Sequence, residues 1–437
     1  MTLTDTTVGG YLAQRLSEIG LRHFFTVPGD YNLILLDELL KNERLTMVSC
    51  CNELNAGYAA DGYCRATAGP SAVVVTFSVG GLSLLNAVAG AYAEDLPVIA
   101  ISGAPNTNST AEYEVLHHTL GEVDYDYQRQ IFDRVTAAAF SIKHPSEAPT
   151  QIDRAIDTAM RLRKPVYLEV ACNVANAAVC SPHPRKFANQ PPVDLRSQKA
   201  AVEHAAEVLN AAAKPVLVAG VKLRATGAEA AFRQLADTSG YAVACMANAK
   251  SFFDEQHSSY MGVYWGPVSS PGVSEIVESA DVPVFVGPVF SDYTTPGHST
   301  ILQQEKMIEV RPGGVVIQGQ TYSDLSMVDF LEALASQLKP NDAAVKAFAR
   351  LVDPPAATPA ADSEAPLTTR QLFARIEQLL DDDSAVIAET GDSWFNGMRL
   401  SMPTNSRFEI QMQYGSIGWS VGATLGYCLG DPERRVV

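Results

Sequence analysis

The sequence predicts an α/β protein with parallel sheets flanked by helices, in three domains of which the third is incomplete. Three observations carry this reading. Short β-branched apolar runs alternate with segments of helical period, two proline-rich breaks divide the alternation, and the alternation stops part-way through a third round. At 437 residues the chain also exceeds what one hydrophobic core accommodates.

The first predicted domain spans residues 1–182. Val8, Leu12, Leu16 and Ile19 share one face of a predicted helix, with Gly20 in place to end it. A strand over 23–27 is stopped by Pro28-Gly29, helical spacing resumes over 30–40, and 45–49 reads as the next strand. Asn52 is a good N-cap for a helix over 53–65. The pattern continues with a strand over 72–77, a helix over 82–94 and a strand over 98–102. A polar loop over 106–114, helices over 125–131 and 150–162 and a strand over 166–170 complete the domain. The linker 183–198 is rich in proline.

A second α/β domain over 199–352 starts with a helix near 200–211. Its strands are predicted at 216–219, 242–246, 282–286, 307–310 and 315–318, and its last helix at 323–338. Residues 353–366, DPPAATPAADSEAP, form the clearest boundary in the chain. The third domain, 367–437, opens with a helix over 367–380 and a strand over 385–388. It then passes through a glycine-rich stretch over 413–422 and a small-residue helix to Gly430. Residues 431–437 read as a turn into a strand with no crossover helix and no neighbour after it, so the natural polypeptide is expected to continue past Val437.

With 49 acidic against 32 basic residues the net charge is −17, which disfavours nucleic acid and anionic membrane as partners. The seven cysteines (50, 51, 64, 172, 180, 245 and 428) lack any C-x-x-C spacing, so reduced thiols and a cytoplasmic setting are expected. No basic stretch precedes an apolar core at the start, and no secretory signal is expected. Residues 71–93 run 23 positions without a charge, but a β-branched strand run and then Gly80-Gly81 interrupt them, which favours a buried strand–loop–helix over a membrane span.

Several familiar devices are missing: G-x-G-x-x-G after a strand, G-x-x-x-x-G-K-[ST], G-x-S-x-G and H-E-x-x-H. Nucleotide hydrolysis, serine hydrolysis and zinc proteolysis fall back accordingly. Glu53, in a helix's first turn, reads either as a partner of the helix dipole or as a functional carboxylate. Adjacent side chains diverge on regular elements, so His117-His118 reads as a poor chelate. It is either a solvated loop pair or two proton-handling imidazoles in a cleft.

Taken together, PGDYNLILL (28–36), CCNELNA (50–56), AYAEDLPVIAISGA (91–104), LHHTL (116–120), KSFF (250–253), AETGDSWFN (388–396) and GSIGWS (415–420) carry a resemblance. Along essentially its whole length the chain resembles the thiamine-diphosphate-dependent 2-oxo acid decarboxylases. The resemblance implies a three-domain architecture with one domain for the cofactor's aminopyrimidine, a middle domain, and one for its diphosphate. It implies thiamine diphosphate and Mg²⁺ as cofactors, a 2-oxo acid (pyruvate) as substrate, and a homodimer at minimum with a homotetramer expected. The family's metal-binding motif and a further catalytic glutamate would lie beyond Val437. No metal ligand is therefore assigned in this chain, and the 437 residues alone are expected to be inactive.

By the same resemblance Glu53 bonds the pyrimidine. Asp30, His117 and His118 form a proton relay, with Thr76 in the same cleft. Gly415 and Ile417 position the cofactor, the latter as an apolar wedge, and Thr390, Gly391 and Asp392 contact it. Tyr293 and Trp394 fill the substrate pocket, where bulk admits a methyl group and excludes an indole or phenyl ring. The expected reaction is decarboxylation of pyruvate to acetaldehyde and CO₂. The alternatives are an indolepyruvate or phenylpyruvate decarboxylase and a catalytically incomplete fragment of such an enzyme. A carboligase such as acetolactate synthase fits the histidine pair less well.

Overall fold

The computed structural model describes residues 5–188, 190, 192–352 and 366–437. Residue-to-residue contacts divide the chain into two compact units, Met1–Gln190 with Tyr414–Glu433 and Pro191–Gln413 with Arg434–Val437.

The first unit is built on β1 (Asp5–Thr7), α1 (Val8–Glu18), β2 (His23–Thr26), α2 (Leu33–Leu40), β3 (Thr46–Ser49), α3 (Glu53–Thr67), β4 (Ser71–Val75) and α4 (Val79–Ala93). It continues with β5 (Val98–Ala104), α5 (Thr107–Ala111), α6 (Tyr127–Phe132), β6 (Ala139–Ile142), α7 (Ala148–Leu162), β7 (Val166–Ala171) and β8 (Ala178–Cys180). Six parallel strands run in the order β3-β2-β4-β5-β7-β6, while β1 pairs antiparallel with β8. β4 and β5 are buried along their whole length, as a parallel strand covered on both faces must be. The apolar face of α1 (Val8, Leu12, Leu16) packs into the core with Phe24, Val74, Ile101 and Leu168.

Some local expectations shift for identifiable reasons. The second helix begins at Leu33 rather than at residue 30, because Asn32 Oδ1 accepts from Gly29 N at 2.9 Å and fixes a turn that leaves Asp30 outside the helix. α4 begins at Val79, not 82, so the two glycines lie inside its first turn. They are needed for close approach: a Cβ on Gly81 would stand 2.4 Å from Gln128 Oε1. The uncharged stretch 71–93 is thus β4 and α4, and among the described residues no helix is long and apolar enough to cross a membrane. The expected polar loop contains α5, and the edge strand β6, with no strong strand signal in AFSI, joins the sheet through β7.

The second unit contains α8 (Leu195–Ala211), β9 (Val216–Ala219), α9 (Lys222–Thr226), α10 (Glu229–Ser239), β10 (Ala242–Met246), β11 (Tyr260–Tyr264), α11 (Val273–Glu278), β12 (Pro283–Val286), β13 (Ile308–Arg311), β14 (Gly313–Ile317), β15 (Gln320–Leu325), α12 (Met327–Ala335) and α13 (Ala343–Leu351). Their sheet runs β11-β10-β9-β12-β13-β14-β15, parallel as far as β13 and antiparallel in its last two pairings. The helix expected over 323–338 is divided between β15 and α12, because Ser326 caps the helix by accepting from Asp329 N at 3.3 Å. Of the linker expected over 353–366, all but residue 366 lies outside the described residues.

Beyond it come α14 (Thr369–Leu379), β16 (Ser384–Ile387), α15 (Asp392–Gly397), β17 (Arg407–Glu409), α16 (Trp419–Gly430) and β18 (Arg435–Val436). The last strand, β18, pairs in parallel with the preceding β16, whose other edge carries β17.

Candidate active site

The carboxyl ends of β2 and β4 are adjacent in the first sheet although their segments are separated in sequence by β3. Such a crossing point opens a crevice in α/β sheets. The turn after β2 carries Asp30 and the end of β4 carries Thr76. They meet through Gly29, on which a Cβ would lie 2.6 Å from Thr76 Cβ. Thr76 in turn adjoins Gly80 in the first turn of α4, and so does Glu53: a Cβ on Gly80 would be 3.2 Å from both Thr76 Cγ2 and Glu53 Oε1. Asn52 caps α3 by accepting from Leu54 N at 2.9 Å, which fixes the half-buried Glu53 in the first turn. Its carboxylate thus sits at the N-termini of both α3 and α4, where helix dipoles favour negative charge. Thr76 Oγ1 is buried with no hydrogen-bond partner.

The histidine pair converges on Asp30, contrary to the divergence expected of neighbours. The reason is the backbone: His118 has φ 61°, a left-handed conformation that folds the two rings to 4.7 Å between centroids. His117 Nε2 bonds Asp30 Oδ2, and His118 Nε2 stands 3.6 Å from Asp30 Oδ1. One ligand atom from each of the three residues lies within 4.8 Å of the others, so the spacing would also suit a cation. Tyr31 holds the cluster in place. Its ring stacks on His117 at 5.1 Å, and its hydroxyl donates to the His117 carbonyl at 3.2 Å. Burial, reinforced by the Asp30 charge, pushes the Tyr31 phenol up to about 12, so it remains a donor.

Behind the cleft lies a layer that sequence reasoning missed. Tyr31 packs edge-on to Phe77, and Phe77 to Tyr127. The Tyr127 hydroxyl donates to Ser78 Oγ, and Ser78 N donates to Gln128 Oε1, each at 2.5 Å. Ser78 precedes α4 with φ 57° and ψ −81°, an uncommon backbone for a residue with a side chain. Gly80-Gly81, read from the sequence as a break in an apolar run, proves instead to be a point of close approach, and nothing in Tyr127-Gln128 announced a role.

The remaining expected residues fall into two groups. Gly415 (φ 71°) and Ile417, 83% exposed, belong to the first unit and lead into α16. That helix runs in the same direction as α3: Gly422 faces Asn55 and Tyr58, Gly426 faces Ala59, and Gly430 faces Ala66. Ile417 therefore enters from the Glu53 end of α3. Tyr293, Thr390, Gly391, Asp392 and Trp394 lie in the second unit. Gly391 has φ 109°, and Asp392 opens α15. Trp394 is a core residue, 2% exposed, with its indole nitrogen unpartnered; the half-exposed Tyr293 packs edge-on to it at 5.8 Å.

A parallel α/β sheet with carboxylates, imidazoles and an orphaned hydroxyl at its switch point places the chain in the class of α/β proteins whose ligand crevice lies at the carboxyl edge of the sheet. Residues 6–128 match the thiamine pyrophosphate enzyme N-terminal TPP binding domain, and residues 202–338 the thiamine pyrophosphate enzyme central domain. Pyruvate decarboxylase 3 of Arabidopsis thaliana is 49% identical over 440 residues, covering 99% of this chain and 73% of that protein. Pyruvate decarboxylase 1 of Pisum sativum is 48% identical, with 99% and 74% covered. Pyruvate decarboxylase 1 of Oryza sativa subsp. indica is 47% identical, with 99% and 72% covered. The chain belongs to the thiamine pyrophosphate enzymes and, among them, to the pyruvate decarboxylase family.

Proposed function

We propose that this protein catalyses the non-oxidative decarboxylation of pyruvate to acetaldehyde and CO₂, with thiamine diphosphate and Mg²⁺ as cofactors. The observation that carries the reading is the convergence of Asp30, His117 and His118 beside the cleft of Thr76, Gly80 and Glu53. That cleft fits a polar ring: it offers a carboxylate, a buried hydroxyl lacking a partner and a glycine leaving space between them.

Loss of CO₂ from a 2-oxo acid leaves an electron pair on the former carbonyl carbon, and formation of the aldehyde consumes one proton there. When bound, thiamine diphosphate supplies the thiazolium ring that accommodates the electron pair. Glu53 would hold the pyrimidine through its carboxyl group, with Thr76 beside it and Gly415 and Ile417 at the same end of α3. His117, bonded through Nε2 to Asp30, would with His118 deliver the proton to the substrate carbon. Tyr31 covers the pair on one side and limits water there. Thr390, Gly391 and Asp392 would contribute further cofactor contacts, and Tyr293 with Trp394 would restrict the substrate to a small acyl group. No Mg²⁺ ligand is assigned. The protein would act in the cytoplasm as a homodimer at minimum, assembled into a homotetramer.

The test is steady-state turnover of pyruvate and phenylpyruvate by the protein expressed from its complete coding region. Pyruvate should have the higher kcat/KM, and a preference for phenylpyruvate would overturn the substrate assignment. Glu53→Gln should lower kcat/KM by about a hundredfold or more, the scale of a lost proton-handling group. Full activity in that variant would remove Glu53 from the site.

A further inference from the structure

The carboxyl edge of the first sheet carries a second depression, displaced from the cleft toward β5, β7 and β6. It is a cavity of about 200 Å³. Ala104, Pro105 and Ala171 line it together with the polar Thr107, Tyr125 and Ser141; the buried Glu169 lies at its inner end and the exposed Lys143 and His144 at its outer end, the mouth.

Glu169 is 2% exposed. Its carboxyl group accepts from Tyr167 Oη at 2.9 Å, Ser141 Oγ at 3.0 Å and Gln128 Nε2 at 3.5 Å, all of them neutral donors. Among the described residues no cation forms an ion pair with it, and Oε1, which accepts from Ser141 alone, keeps a free lone pair. Burial raises the group to about 7, with the Lys143 charge acting against that rise from the mouth. A buried acid facing a cavity without a counter-ion is costly, and a cationic ligand group would remove that cost. The mouth asks for the opposite sign. A ligand satisfying both ends is positive inside, negative outside and apolar along its flank. At roughly 30 Å³ per water the cavity has room for about seven non-hydrogen atoms.

We propose that this cavity binds a small zwitterionic 2-amino acid, its ammonium group on Glu169, its carboxylate at Lys143 and His144 and its side chain against Ala104, Pro105 and Ala171. The site is joined to the catalytic cleft through Gln128. One end of that amide reaches Tyr167 and Glu169, and the other accepts from Ser78 N, at the start of the helix whose Gly80 underlies Glu53. Binding is therefore transmitted to the first turn of α4.

The experiment is calorimetric titration of the full chain with L-alanine, and with lactate, which keeps the carboxylate and lacks the ammonium. Saturable alanine binding in the millimolar range is expected, with lactate at least about tenfold weaker, the loss of one charge-assisted contact. Glu169→Gln, nearly isosteric, should weaken alanine by a similar factor. Lys143→Ala, at an exposed position that cannot disturb folding, should weaken it by less. No saturable binding, equal binding of lactate, or an affinity unmoved by both substitutions would overturn the site. Hydrogen exchange tests the connection: alanine should slow exchange of the Ser78 amide, and an unchanged rate would overturn transmission to the cleft.

Discussion

Single residues at the cleft act through backbone conformation as much as through chemistry. His118 brings its ring to Asp30 only because its φ is positive, and Asn32 holds Asp30 out of the helix by bonding Gly29. Asp30→Asn should lower kcat/KM for pyruvate by one to two orders of magnitude, about the loss expected when a proton-holding partner becomes a neutral amide. Unchanged turnover in that variant would remove Asp30 from the role. Glu169 gives a second, independent expectation. Its folded-state carboxyl is raised to about 7 by burial, so the native state holds more protons than the unfolded chain between about 4.5 and 7. Stability therefore falls as pH rises through this window. Glu169→Gln removes that fall, and its unfolding free energy relative to the parent should improve by up to about 3 kcal/mol on going from pH 4 to pH 8. The groups facing Glu169 are Tyr167, Ser141, Gln128 and, through space, Lys143, Arg129 and Asp126. Denaturant titrations at the two pH values check the difference.

At the scale of elements, the contact between α3 and α16 has the tightest geometry in the first unit. Three glycines at four-residue spacing, Gly422, Gly426 and Gly430, let the backbones meet, and a Cβ on Gly426 would stand 1.7 Å from the Ala59 carbonyl oxygen. Gly62 makes the reciprocal approach, with its Cβ position 2.0 Å from the Ala423 oxygen. Gly426→Ala should destabilise the first unit by about 3 kcal/mol or more, because the neighbour to be displaced is backbone rather than a flexible side chain. Thermal unfolding would detect it, and an unchanged midpoint would mean that the helices separate readily. The same contact aligns Ile417 with the N-terminus of α3. The buried Arg65 adds to it, bonding Asp61 at 2.6 Å and lying over the Trp419 ring at 4.8 Å.

Across the whole molecule, the cysteines report on how each unit protects its interior. All seven are free thiols. Cys51, Cys180 and Cys428 are exposed, whereas burial pushes Cys64 up to about 12 and raises Cys245 further. The three exposed thiols should react with a disulfide reagent in the native state, and Cys64 and Cys245 only on unfolding. Rapid labelling of Cys64 would show that the core of the first unit opens under native conditions.

The alternation of strands and helices, the parallel sheets and most candidate residues were legible in the sequence. β-branched runs and helical period are local signals, and motifs such as CNELNAG and LHHTL carry the resemblance from which the candidate residues were drawn. Tertiary structure alone decided which residues meet. It placed β2 beside β4, so that Asp30, Thr76 and Glu53 share a cleft. It put Gly80-Gly81 inside a helix whose Gly81 leaves no space for a Cβ against Gln128, and it gave His118 the backbone that turns an adjacent pair inward. Gln128 and Glu169 had no sequence signal, since an isolated polar residue acquires its meaning only from the burial and partners that strand order and packing supply.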